Sequence, residues 1–176
     1  LAIAACLKFL ESSKESEIRK GLETVHWEGR LEVVSDSPTV VLDCAHNVAS
    51  VRNMTSEVRK NINFDRCFVI LGLMKDKEID NIIEILSQFG DLFFLVQVNP
   101  ERGETTEKLK EKLNKYNKRI QVSESVSDAL QAAKKFAKPK DLVCITGSIY
   151  TVAEAKKCFQ HEKNLTNPGS APHPRK

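Results

Sequence analysis

Apolar positions along this chain fall into two alternating kinds of run. Thr39–Ala45, Cys67–Met74, Leu92–Val98, Arg119–Ser123 and Leu142–Ser148 read as strands. Several of them are apolar at consecutive positions, as expected of strands covered on both faces. Between them the apolar residues step by three and four: Val48, Val51, Thr55, Val58 and Ile62, then Ile79, Ile82, Ile83 and Leu86. Leu109, Leu113 and Tyr116 continue the pattern, as do Leu130, Ala133 and Ala137. That spacing lays one apolar stripe along a helix. A shorter run, Leu31–Val34, precedes the turn signal Asp36-Ser37-Pro38.

Strand and helix in strict alternation imply right-handed crossovers and a mostly parallel sheet between two helical layers. The expected fold is a three-layer Rossmann-like α/β domain, with Leu31–Val34 as an antiparallel edge strand. Its limits are residues 21–160. Residues 1–20 read as a short apolar helix, Leu1–Leu10, and a polar linker around Ser12–Lys20, left from a preceding domain. Residues 161–176 read as a disordered tail, because Pro, Asn and Ser dominate and few side chains can be buried.

Charge and composition narrow the function. The 27 basic and 24 acidic residues nearly cancel, and no Lys/Arg block carries interleaved aromatics, so nucleic acid is not an expected partner. No run approaches the roughly 20 apolar residues that span a bilayer. The five cysteines show no C-x-x-C spacing. Neither a zinc site nor a disulfide framework is readable, which fits a reducing, cytoplasmic setting.

Ligands of open α/β sheets bind beyond the carboxyl ends of the strands. Asp43 and His46 end one strand, Lys75 and Asp76 another, and Asn99 a third, while Gly147-Ser148 ends the last. Helix amino termini arrive at the same edge and favour anions. Asp43 suits two ribose hydroxyls, and equally an N-cap or turn acid. His46 suits a phosphate or acyl oxygen, or an ordinary hydrogen-bonded loop. Asn47 is placed to cap the next helix. Gly147-Ser148 suits a carboxylate or phosphate, or a plain helix cap. Arg30 suits phosphate, or solvent. Lys75, Asp76 and Lys77 read as a solvated charged turn. The phosphate loop G-x-x-x-x-G-K-[ST] and the dinucleotide fingerprint G-x-G-x-x-G are both missing from the chain.

Four motifs stand in order: W-x-G-R-L-E-V at Trp27–Val33, L-D-x-A-H-N at Leu42–Asn47, G-L-M-K-D-K at Gly72–Lys77 and G-S-x-Y-x-V at Gly147–Val152. Together they resemble the C-terminal domain of folylpolyglutamate synthase / dihydrofolate synthase, in the Mur ligase superfamily, over roughly residues 1–158. The resemblance implies an ATP-dependent ligase that joins L-glutamate to a folate or dihydropteroate carboxylate through an acyl phosphate. It implies that Arg30 and Asp43 bind ATP, that His46 is catalytic and faces glutamate, and that Ser148 binds glutamate. No metal ligand is implied here; magnesium and the phosphate loop belong to an N-terminal ATPase domain, the expected partner of this one in a monomeric enzyme. The isolated domain is expected to be inactive.

Three positions depart from the family pattern. Cys44 stands where Gly is usual, Val48 where Pro commonly follows the Asn, and Glu28 where Pro often follows the Trp. Two other readings remain open on sequence alone: another Mur-type amino-acid ligase acting on peptidoglycan precursors, and a non-catalytic Rossmann-like binding module.

Overall fold

The computed structural model describes residues 15–25 and 27–166. The expected helix at Leu1–Leu10 and the last ten residues lie outside them. Helix α1 (Glu15–Glu23) leads into strands β1 (Glu32–Asp36) and β2 (Thr39–Leu42). The chain then alternates through α2 (Val48–Asn61), β3 (Cys67–Leu71), α3 (Ile79–Phe89), β4 (Leu92–Leu95), α4 (Thr106–Asn114), β5 (Arg119–Val122), α5 (Val126–Phe136), β6 (Leu142–Thr146) and α6 (Ile149–Thr166).

The six strands form one sheet in the order β1-β2-β6-β3-β4-β5. Only β1 is antiparallel, hydrogen-bonded to β2 with an irregularity between Val33 and Ser35; the remaining neighbours are parallel. The expected edge strand is therefore present, shifted to Glu32–Asp36. Parallel strands need covering on both faces; β2, β3, β4 and β6 receive it, while the edge strand β5 stays largely exposed. Helices α2, α3 and α4 pack Met54, Ile82, Leu86 and Leu109 against Val41, Val69, Phe93 and Cys144. Helices α5 and α6 pack Leu130, Ala133, Val152 and Ala155 against Val40, Ile70, Phe94 and Ile145. Phe93 and Phe94 point to opposite faces and are both fully buried. Each such aromatic removes enough surface from water to be worth about 2–3 kcal/mol.

Two sequence expectations change. Glu15–Glu23 is helical rather than a linker, with Arg19 Nη2 bonded to Glu15 Oε1 at 3.0 Å one turn away. This helix buries no residue, so local i,i+4 pairing supports it and no apolar stripe announces it. At the other end α6 continues to Thr166, past the boundary at residue 161. The strands also end earlier than their apolar runs. The residues just beyond them, Asp43–Ala45, Gly72–Met74 and Val96–Val98, stay largely buried in loops, and that accounts for their apolar character.

Candidate nucleotide and glutamate site

Strand β2 pairs with β6 in parallel, and Leu42 lies opposite Ile145. The two carboxyl ends therefore stop level with each other. The pairing carries on past the strands: Asp43 N–H donates to Ile145 O at 3.0 Å and Gly147 N–H to Ala45 O at 3.0 Å. The Asp43–His46 loop and the Gly147–Ser148 turn are thus neighbours on one rim.

Asp43 is 5% exposed, and both its oxygens already accept backbone bonds. Oδ1 takes Ala45 N–H at 2.8 Å and Oδ2 takes Leu31 N–H at 2.9 Å. A carboxylate has about four acceptor positions, so two remain. Asp43 is thus a turn acid with spare acceptor capacity. The Leu31 bond draws in the Gly29–Leu31 turn, whose backbone lies in the left-handed region at Gly29 (φ 66°) and Leu31 (φ 46°). Arg30 stands between them, exposed. It lines a small cleft of about 170 Å³ with Leu31, Asp43, Ser50, Asn53 and Met54.

The departure at Cys44 has a local explanation. Its N–H donates to Gly29 O at 2.9 Å, and its Sγ would stand 2.8 Å from a Cβ at position 29. The thiol thus fills space that Gly29 leaves open. Burial and the neighbouring Asp43 charge push the Cys44 thiol up, so it stays protonated and packs rather than reacts.

His46 is partly buried. Its Nδ1 lies 2.8 Å from Cys44 O. A carbonyl only accepts, so Nδ1 carries a proton, and in the neutral ring Nε2 is then the acceptor nitrogen. Asn47 is the N-cap of α2 in a reciprocal capping box: its side chain accepts Ser50 N–H at 2.8 Å while Ser50 Oγ accepts Asn47 N–H at 3.1 Å. Ser50 Oγ takes His46 N–H as well, at 3.1 Å. That box starts the helix without a proline at Val48.

At the second turn, Gly147 has φ 104°, and a Cβ there would stand 2.6 Å from Gly72 O. Ser148 is 2% exposed. Its Oγ accepts Thr151 N–H at 3.1 Å and shares a 2.7 Å bond with Thr151 Oγ1, which donates to Gly72 O at 3.0 Å. The hydroxyl is therefore occupied as a helix cap that ties α6 to the end of β3. Asp43, His46 and Ser148 share one rim; the Ser148 hydroxyl is engaged by Thr151, while Asp43 keeps acceptor positions beside the Arg30 cleft. Lys75 lies further along: Nζ donates to Glu101 O at 2.9 Å, and Lys77 pairs with Asp76 at 2.9 Å, a charged turn as expected. Among the described residues no three His, Cys, Asp or Glu side chains group as metal ligands. Glu32 and Lys156, beside the Arg30 turn, went unnoticed in sequence; Glu32 lies inside the W-x-G-R-L-E-V motif, and Lys156 carries no signal of its own.

The profile of the family described as "Mur ligase, glutamate ligase domain" matches residues 29–149. The chain belongs to the Mur ligase family. This Mur ligase domain is 32% identical over 150 residues to the dihydrofolate synthase/folylpolyglutamate synthase of Escherichia coli, covering 85% of the chain and 35% of that sequence. Among solved structures it resembles E. coli FolC in complex with DHPP and ADP, with TM-score 0.79 and 29% identity over 86% of the chain and 36% of the other. It also resembles a bifunctional folylpolyglutamate synthase/dihydrofolate synthase with Mn, AMPPNP and L-glutamate bound, with TM-score 0.74 and 28% identity over 84% of the chain and 35% of the other. The chain spans about a third of the length of these relatives. It corresponds to the C-terminal domain of the folate branch of the family, as the order of its four motifs implied, and not to the peptidoglycan branch or a separate binding module.

Proposed function

We propose that this domain is the nucleotide- and glutamate-contacting half of an ATP-dependent ligase that extends folate, or completes dihydropteroate, with L-glutamate. The observation that carries the reading is the shared rim, where Asp43, His46 and the Gly147 turn converge beside Arg30. In the reaction the γ-phosphoryl group of ATP passes to the substrate carboxylate with release of ADP. The glutamate amine then attacks the acyl phosphate carbonyl, loses a proton, and expels inorganic phosphate to leave an amide. Such chemistry asks for charge neutralisation and alignment more than for a protein nucleophile.

Arg30 supplies a fixed positive charge for phosphate, and Asp43 offers its remaining acceptor positions to ribose hydroxyls. In its neutral form His46 offers Nε2 to accept a proton from the incoming ammonium or amine. Ser148 shapes the glutamate pocket by fixing the amino end of α6, whose free N–H groups favour a carboxylate. Magnesium would neutralise the ATP phosphates, with its ligands on an N-terminal ATPase domain. Exposed Trp27, Ile149 and Tyr150 flank the two turns and offer apolar surface to that domain. Closure of one domain on the other would exclude water from the acyl phosphate. The enzyme is read as a cytoplasmic monomer.

The test is an assay of the full-length protein for phosphate release that depends on both glutamate and a folate or dihydropteroate acceptor. Release that ignores glutamate, or none with either acceptor, would overturn the proposal.

A further inference from the structure

The Arg30 turn is held not only by Asp43 but by a pair of charges with no role in the chemistry above. Glu32 Oε2 accepts Gly29 N–H at 2.7 Å. Both Glu32 oxygens lie 3.3 Å from Lys156 Nζ, and the same ammonium meets Glu28 Oε2 at 2.7 Å. Lys156 belongs to α6, about two turns beyond the Ser148 cap. The Glu32 carboxylate is 8% exposed and the Lys156 side chain 19%, so their bonds are little screened by solvent.

We propose that Glu32 and Lys156 are positioning residues that hold the Gly29–Leu31 turn, and with it the Arg30 guanidinium, in place for the polyphosphate of a nucleotide. This rests on the function proposed above. The turn needs such help. Two of its three residues sit in the left-handed region, one of them a leucine, and a non-glycine residue there is held only where its surroundings over-determine it. Three bonds do so: Glu32 to Gly29 N–H, Asp43 to Leu31 N–H, and Cys44 N–H to Gly29 O. Lys156 fixes Glu32 in turn, and so links the Arg30 turn to the helix that begins at Gly147–Ser148. Both flanks of the rim then move as one body. Burial draws the Lys156 ammonium down, but its bonds to Glu28 and Glu32 outweigh burial and leave it raised; it stays charged throughout the working pH range.

Two readouts on the full-length protein decide the matter, using Arg30→Ala, Glu32→Ala, Glu32→Gln, Lys156→Met and Arg30→Ala/Glu32→Ala. The first needs no activity. Trypsin cleavage after Arg30 should quicken roughly tenfold in Glu32→Ala, as one charged hydrogen bond is lost, and less in Glu32→Gln, which keeps an acceptor for Gly29 N–H. The second is kinetic. Glu32→Ala and Lys156→Met should raise KM for ATP with little change in kcat, and Glu32→Ala should add less than about twofold in the Arg30→Ala background, because it acts through Arg30. Unchanged cleavage, or fully additive effects on KM, would overturn the proposal. A wild type that lacks ligase activity would instead sink the functional reading, with the trypsin arm still deciding whether the pair clamps the turn. Should Glu32→Ala not fold, Glu32→Gln and Lys156→Met carry both readouts.

Discussion

Asp43 Oδ2 accepts the backbone N–H of Leu31 at 2.9 Å, so the acid at the end of one strand holds the turn that precedes the neighbouring one. The contact gives Asp43 two tasks, shaping the Arg30 turn and keeping acceptor positions for a ligand. Asp43→Ala in the full-length enzyme should therefore raise KM for ATP about tenfold or more and also lower stability by about 1–3 kcal/mol, since two N–H donors, the buried one of Ala45 and the part-buried one of Leu31, lose their partner. Chemical denaturation read beside ATP kinetics separates the two effects. Normal values in both would remove Asp43 from the site.

Ser148→Ala should cost about 1 kcal/mol through loss of the α6 cap, a drop of a few degrees in thermal midpoint for a domain of this size. Its hydroxyl is occupied by Thr151. Any weakening of glutamate use should therefore follow from a displaced helix end, and Ser148→Thr, which keeps the hydroxyl, should restore most of it. A variant whose glutamate KM rises while its stability is untouched would show direct contact instead.

Gly147→Ala and Gly21→Ala make a matched pair. At Gly147 the left-handed backbone and a Cβ 2.6 Å from Gly72 O should destabilise the fold by more than about 2 kcal/mol. At Gly21, inside α1, an added Cβ meets nothing within 4 Å, and alanine should make that helix more favourable by about 0.5–1 kcal/mol. Hydrogen exchange over α1 and urea unfolding of the whole domain measure the two.

Acid stability depends partly on Asp141, far from the candidate site at the amino end of β6. Its carboxylate is 1% exposed and ion-paired with Arg66, whose Nε donates to Oδ1 at 3.2 Å, while Lys138 N–H donates to Oδ2 at 2.7 Å. Burial alone would raise this carboxyl, but the Arg66 and Lys138 bonds outweigh it and hold the group below its ordinary 3.8. The folded state then binds fewer protons than the unfolded one in that range, so stability rises with pH there. The contribution is complete above about pH 4–5 and is lost as pH falls through the folded value. Asp141→Asn should lower stability near neutrality by about 2 kcal/mol and flatten the decline below pH 4, as followed by denaturation at a series of pH values.

The architecture was largely legible because it depends on periodicity. Consecutive apolar runs such as Cys67–Leu71 and stepped ones such as Ile79–Leu86 can be buried in few other ways. Helix α1 escaped because Glu15–Glu23 contributes nothing to a core, and burial is what periodicity reports. At the rim, Asp43, His46 and Gly147 could be singled out because each interrupts an apolar strand end, and the motif order then gave them a family. Their partners were not legible. The Leu31 bond to Asp43 depends on an irregular antiparallel pair, and the link from Glu32 to Lys156 joins positions 124 residues apart. Nor could sequence say that the Ser148 hydroxyl faces Thr151, since a capping serine and a ligand-binding serine share one local pattern.

The central place of β6 sets an order on assembly. Of the six described strands this one is made last, yet it lies between β2 and β3 and bonds to both. Until residues 142–146 leave the ribosome, β2 and β3 each keep an unsatisfied edge, and the turn at Gly147 that completes the rim does not exist. A nascent chain stopped just short of Leu142 would hold all five other strands and still offer two bare, apolar edges to any neighbour. Synthesis of the domain is therefore most hazardous just before the candidate site appears.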